Sequence, residues 1–344
     1  MSNAIDFVIT WVDGFDPEWQ KLKASYIEDE RRSSIKFGEE RFRDWGILRY
    51  WFRAVEKYAS WVRKIHFVTC GQFPNWLNLN CKKLNFVKHE DFMPEKWLPT
   101  FNSRAIELNM FRIKDLSEQF VYFNDDMFIN APVRPEDFFV NNLPCECAVL
   151  NIAPVNMNRF GIGSVIFNDL NVINQNFNFT RQFKSHWLKW INLRYGIRNL
   201  MKTFLLLPFR CYTGFYESHS VISFLKSSFL EVWDKETKQL EMTSSHRFRD
   251  RSDVNPWLVK YWQIAEGKFY PRSPKFSATY SKKKNTPNSP LDITQAIDDI
   301  RFHKHKVICI NDRENIDHEE FEELSRKIQE VYSEVLPEKS EFEI

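Results

Sequence analysis

The sequence is poor in glycine, with 9 in 344 residues. So little of the most permissive residue leaves no room for long flexible linkers. No apolar run approaches the roughly 18 residues expected of a membrane span. The longest candidate, Phe204 to Phe209, is far shorter. Cysteine occurs at Cys70, Cys81, Cys145, Cys147, Cys211 and Cys309, without one CxxC pair. Cys145 and Cys147 are too close for a zinc ribbon or a redox pair, so reduced thiols are the plain reading. The patterns GxxxxGK[ST], GxGxxG and GxSxG are all missing, which leaves P-loop and dinucleotide-type nucleotide handling without support. Neither sign of charge dominates: 48 Lys and Arg face 46 Asp and Glu, a formal +2. That balance argues against a bulk nucleic-acid binder. No signal-peptide pattern opens the chain, and residues 1–4 read as a cloning scar outside the fold.

What is present is a large apolar fraction, 43%, with 32 Phe and 12 Trp. It suffices for one substantial domain, expected over residues 5–344. Ile5 to Val12 (IDFVITWV) is a β-branched run ending at Asp13-Gly14, the pattern of a buried strand and a turn. Trp45 to Val62 has helical spacing, with Leu48, Trp51, Phe52, Val55 and Tyr58 on one face. Lys64–Thr69, Leu84–Lys88 and Phe120–Phe123 read as further strands, and Ser103–Leu116 as a helix. Lys306 to Ile310 (KVICI) reads as a fifth strand, and His318 to Val335 as a closing helix. Alternating strands and helices suggest an α/β layer with a mostly parallel sheet, whose ligands gather beyond the carboxyl ends of the strands.

Residues 170–216 differ. They contain no Asp or Glu, but Arg181, Lys184, Lys189, Arg194, Arg198, Lys202 and Arg210 are interleaved with aromatics. This segment reads as a helical, basic-aromatic insertion or lid. Residues 271–290, rich in Pro, Ser and Lys, read as an extended crossing segment or exposed loop.

Three strand ends carry short polar groups: Asp13, Asn124-Asp125-Asp126 and Asn311-Asp312. Each alone fits a turn, because Asn and Asp bond their own backbone there. Together they suggest one polar edge. Adjacent carboxylates suit Mg²⁺ or Mn²⁺, which take oxygen ligands and substrate phosphates. Asp125 and Asp126 would point to opposite sides of a continuing strand, so one or both could bind. His219 has a pKa suited to a general base, though a lone His is commonly structural. The run Ser244–Asn255 holds Arg247, Arg249 and Arg251; it fits a solvated charged face or a diphosphate clamp. Asn102 and Ser103 can cap a helix start that favours anions.

These segments together resemble the Stealth family of bacterial capsular polysaccharide phosphotransferases, which includes the catalytic part of the animal GlcNAc-1-phosphotransferase. IDFVITWVDGFDP resembles its first conserved region. Arg43-Asp44 through LRYWFRAVEKYASWVRKIHFVTCGQFPNWL to LPTFNSRAIELNMFRIKDLSEQFVYFNDDMFI resembles the second. The stretch from His219 to SHRFRDRSDVN resembles the third, and ICIND with the closing LPEKSEFE the fourth. Phe111 departs from the pattern, standing where many relatives carry His.

The resemblance implies transfer of a hexose- or N-acetylhexosamine-1-phosphate from a nucleotide sugar, UDP-linked, to a hydroxyl of a glycan or lipid-linked glycan. Nucleoside monophosphate leaves. The implied setting is the bacterial cytoplasm or the inner face of its membrane, in capsule or cell-surface polysaccharide synthesis. The expected fold is α/β, a Rossmann-like, glycosyltransferase-A-like, mostly parallel sheet flanked by helices. In this reading Asp125 and Asp126 hold Mg²⁺ or Mn²⁺ against the diphosphate and His219 takes the acceptor proton. Arg249 steadies phosphate charge, with Asp253 and Asn255 orienting it or the sugar. Asp13, Asn102, Ser103, Arg104 and Glu107 face the nucleotide or sugar, and Asn311 and Asp312 complete the polar edge. Two alternatives stay open: a metal-dependent glycosyltransferase releasing nucleoside diphosphate, and a non-catalytic membrane-surface glycan binder. The segment 181–210 is the expected site of any peripheral membrane contact.

Overall fold

The run IDFVIT forms β1 (Ile5–Thr10), almost wholly buried. It lies between β2 (Ile65–Thr69) and β4 (Gln119–Phe123), parallel to both, and β2 pairs in parallel with β3 (Leu84–Lys88). The structure, a computed structural model, describes residues 4–27, 44–153, 162–280, 293–311 and 318–344. Later strands are β5 (Met127–Ile129), β6 (Phe139–Val140), β7 (Leu143–Glu146), β8 (Ile222–Leu225), β9 (Tyr270–Pro271), β10 (Ser277–Tyr280) and β11 (Val307–Ile310). The central sheet runs β3-β2-β1-β4-β8, with only β8 antiparallel to its neighbour. This is the mostly parallel α/β layer that the sequence pattern implies.

Side chains alternate across that sheet as a pleated strand requires. Ile5, Phe7, Ile9, Val121 and Phe123 enter one core cluster; Val8, Phe120 and Tyr122 enter the other. The helix Leu48–Tyr58 covers the first face with Leu48, Trp51, Phe52, Val55 and Tyr58 all buried. Trp51 meets Phe123 edge-on at 5.3 Å between ring centroids, a favoured aromatic geometry. The helices Ser103–Asn109, Lys226–Lys235 and Trp257–Ala265 cover the second face.

KVICI does not join the central sheet. The outer edge of β4 is taken by β8, so β11 pairs antiparallel with β5, the continuation of the chain beyond the Asn-Asp-Asp turn, and parallel with β10. The helix begun at Ser103 stops at Asn109 and passes into a single tighter turn, Met110–Arg112, short of the expected Leu116. Asn109 Nδ2 donates to Ala105 O at 2.8 Å and to Ser244 Oγ at 2.9 Å, a side chain to backbone bond that competes with helix propagation.

Within the basic-aromatic segment the chain forms helices Phe179–Ser185, Trp187–Trp190 and Ile197–Leu206. Trp190, Tyr195, Leu200 and Leu206 share the core cluster of the second sheet face. Phe111, the departure noted above, is buried in the same cluster, 5.9 Å from both Phe229 and Trp233.

Candidate active site

The turn from β4 to β5 is closed by Met127 N donating to Asn124 O at 3.1 Å. Tyr122 OH donates to Asn124 Oδ1 at 2.6 Å, so Asn124 is fixed as a turn residue. Asp126 is fixed from the other side: its carbonyl accepts Ile310 N at 2.9 Å. Its carboxylate Oδ2 meets Cys309 Sγ at 3.2 Å and His219 Nε2 at 3.1 Å. Asp126 Oδ1 is buried and has no hydrogen-bond partner among the described residues. Asp125 opens into the cleft instead. Desolvation by the cleft walls around this exposed side chain, and the negative charges of Asp126, Asp44 and Glu107, push the Asp125 carboxyl up to about 7.

His219 sits in the left-handed region with φ of 41°, a conformation that costs a branched or bulky residue energy and persists only where neighbours enforce it. Thr279 Oγ1 on β10 supplies one constraint, donating to Ser218 O and, at 3.3 Å, to His219 O. The buried pair of Lys260 with Glu217 anchors the chain just before it. Burial pulls the His219 pKa down, but the hydrogen bond to Asp126 and the charges of Asp126 and Glu217 outweigh it and leave it above the ordinary value. With Nε2 directed at a carboxylate, Nδ1 is the ring nitrogen left to accept a proton.

The opposite wall is built on Asp253, which is fully buried. Its carboxylate accepts Asn102 Nδ2 at 3.0 Å, Arg104 Nη1 at 3.1 Å, His246 Nδ1 at 2.7 Å and Asp250 N at 2.8 Å. Asn102 in turn caps the helix Ser103–Asn109, accepting Arg104 N at 3.2 Å. This knot ties residues 246–253 to that helix start and brings Arg249 Nη2 to Ser103 Oγ at 2.8 Å. Glu107 lies one turn on. Burial raises its carboxyl against the opposing influence of Arg249, Tyr122 and Ser103.

A cavity of about 430 Å³ opens between these walls. Its lining includes Ser103, Glu107, Asp125, Asp126, His219, Arg249 and Asn311. The structure thus gathers seven of the sequence-derived candidates from five separate chain segments. Asn102, Arg104 and Asp253 stand behind the lining, in the knot that supports it. Asn255 lies just before the helix Trp257–Ala265 and accepts Trp257 N at 2.9 Å. Asp13 is a turn residue, accepting Phe15 N at 2.9 Å and held through its backbone by Gln72. Asp312 and residues 1–3 lie outside the described residues. Asp44, Cys309 and Tyr122 were not singled out in the sequence. Asp44 lines the cavity and accepts Trp11 Nε1 at 3.1 Å; the quoted Arg43-Asp44 pair was its only signal.

The residues fit a bound cation. Ligand atoms of Asp126, His219 and Cys309 lie within 4.8 Å of one another. The unpartnered Asp126 Oδ1 would gain in a cation the partner that a buried carboxylate oxygen needs. Burial and the charge of Asp126 raise the Cys309 thiol well above its ordinary range, so the oxygen and nitrogen donors are the readier ligands.

Several relatives align over nearly their full length. The capsular polysaccharide phosphotransferase WcwK of Streptococcus pneumoniae is 42% identical over 98% of both chains. The exopolysaccharide phosphotransferase cps2G of Lactiplantibacillus plantarum is 42% identical over 98% of this chain and 96% of its own. The receptor polysaccharide phosphotransferase WefC of Streptococcus gordonii is 40% identical over 100% of both. The solved galactosyltransferase LgtC, bound to donor and acceptor sugar analogues, covers 98% of both chains at 11% identity and a TM-score of 0.38, too low to carry a functional argument. Fold, cleft and close relatives make the chain an α/β transferase. Models of Stealth conserved regions 1, 2 and 4 match residues 3–31, 41–146 and 298–344. The chain belongs to the Stealth family.

Proposed function

We propose that the chain transfers a hexose- or N-acetylhexosamine-1-phosphate from a UDP-linked sugar to a hydroxyl of a glycan or lipid-linked glycan, in capsular or exopolysaccharide synthesis. The acceptor oxygen attacks the phosphorus that bears the sugar. A new O–P bond forms, the P–O bond to the nucleotide breaks, and nucleoside monophosphate departs. The acceptor proton passes to His219 Nδ1, while Asp126 holds the ring and favours its protonated form. Arg249 offers a planar fork to the phosphate oxygens, with Ser103 fixing its position. Mg²⁺ or Mn²⁺, held at Asp126 with Asp125, would offset diphosphate charge.

The observation that supports this reading best is the His219–Asp126 contact at 3.1 Å on the rim of a cavity that also holds Arg249. Phosphoryl transfer needs positioning and charge stabilisation above all, and a base, a fork and a cation site meet that need. The test is a panel of nucleotide sugars with Mg²⁺ or Mn²⁺, scored for the nucleotide product. Monophosphate release supports the proposal. Diphosphate release makes the chain a glycosyltransferase, and no turnover with any donor counts against catalysis.

A further inference from the structure

The helix Ile197–Leu206 presents two unlike faces. Leu200, Thr203 and Leu206 point inward, and Thr203 Oγ1 accepts Leu150 N at 3.2 Å, which fixes the helix to the body. Ile197, Met201, Phe204 and Leu205 point outward. Their spacing of four, three and one residues keeps them on one stripe of about 100°. Ile197 is 75% exposed and Leu205 73%, and Leu193 just before the helix reaches 84%. Large apolar side chains displayed in a row on an anchored helix mark a contact surface, whereas scattered ones do not.

The charges beside this stripe indicate its occupant. Arg198 and Lys202 follow its edge at the next helical positions, and Arg181, Lys184 and Arg210 lie nearby in sequence. Residues 170–216 contain no acid, and none of these five bases has an ion-pair partner among the described residues. A second copy would bring the same basic edge against this one across a two-fold contact, where like charges repel. An anionic lipid surface offers an apolar layer for the stripe and phosphates for the bases. No helix among the described residues is long and apolar enough to cross a membrane, so the contact would be superficial.

We propose that the face Ile197, Met201, Phe204 and Leu205, edged by Arg198 and Lys202, docks the protein on an anionic lipid surface. Lys189 and Arg194 have other duties. Lys189 donates to Gly267 O, and Arg194 stacks 4.8 Å over Tyr270, so substitutions there would disturb the fold.

The test is co-sedimentation of the full chain with vesicles of phosphatidylglycerol or of phosphatidylcholine alone. The protein should bind the anionic vesicles and largely ignore the neutral ones. Phe204→Ser with Leu205→Ser should weaken binding roughly tenfold or more. Arg198→Gln with Lys202→Gln should weaken it about fivefold per base, with added salt doing the same. Because Arg198, Phe204 and Leu205 are exposed and Lys202 is half-buried without an ion-pair partner among the described residues, circular dichroism should match the parent for both variants. Equal affinity for both vesicles, unchanged binding in both variants, or a stable dimer that ignores lipid would each overturn the proposal. Nucleotide release from a soluble acceptor does not enter this readout, so the docking surface and the proposed reaction fail independently.

Discussion

Replacing Asp126 by Asn would keep its shape while removing the charge that His219 faces. A positioned general base contributes about 10²–10⁴ in rate, or about 2.7–5.4 kcal/mol of barrier at 1.36 kcal/mol per decade. His219→Ala should lose about that much. If Asp126 acts through the ring it touches at 3.1 Å, the Asn variant should lose a similar amount. With the divalent cation kept saturating, so that the second role of Asp126 at the cation does not enter the rate, the double variant should then be little worse than His219→Ala, because groups working as a unit are not additive. The pH profile gives a second reading of the same substitution. As a base His219 must be neutral, so its raised pKa places the acid limb of kcat/KM above the ordinary histidine value. Removing Asp126 leaves burial to depress that pKa, and the limb should move to lower pH even as the rate falls. The assay is release of nucleoside monophosphate across pH. Losses that multiply, roughly 10⁴ or more in the double variant, together with an unmoved acid limb, would refute the pair as a functional unit.

Three further outcomes follow from the charges. Asp125, with its carboxyl near 7, must lose a proton to hold a cation, so Mn²⁺ affinity by calorimetry should fall up to about tenfold per pH unit below that value; a flat profile would remove Asp125 as a ligand. Lys260→Met strands the buried Glu217 carboxylate and should cost about 3 kcal/mol in urea unfolding, with Glu217→Gln added in the same chain recovering much of it; a single variant as stable as the parent contradicts the buried pair. Burial pushes the Asp6 carboxyl up, but hydrogen bonds from His66, Arg63 and Ser117 outweigh it and hold it below the usual range. Its contribution is therefore complete above the unfolded value of about 3.9 and lost as pH falls through the lower folded one. Asp6→Asn should cost about 2 kcal/mol at neutral pH, and the gap to the parent should close in acid; a gap that widens in acid would reverse the assignment.

The sequence was most legible where one local period decided the outcome. The six residues of β1 and the inward face Leu48, Trp51, Phe52, Val55 and Tyr58 could be read directly, because alternation and helical spacing are local properties. Pairing was not. β8 is a four-residue run, ISFL, inside a helix-rich stretch, too short to announce itself. Its claim on the edge of β4 diverted KVICI into a second sheet. Asn124, Asp125 and Asp126 were visible as a polar strand end, yet nothing local separated them into a turn residue, an open carboxylate and a partner of His219. Asp253 illustrates the same limit. In sequence it is one acid in a charged run, while in space it holds together Asn102, Arg104, His246 and Asp250. Its partner Asn102 lies 151 residues away, and no spacing rule reaches that far.

The Asn-Asp-Asp turn also joins the central sheet to the small sheet of β5, β10 and β11. Asp126 gives its carbonyl to β11 and its side chain to His219, and β10 holds the His219 carbonyl in turn. The proposed base therefore depends on a seam, since neither sheet can position it alone. Both sheets also share one core cluster, in which Phe7 and Phe123 are joined by Phe128 and Ile308, so a cavity-forming change beneath the small sheet, far from any substrate, would reach the proposed base through this turn.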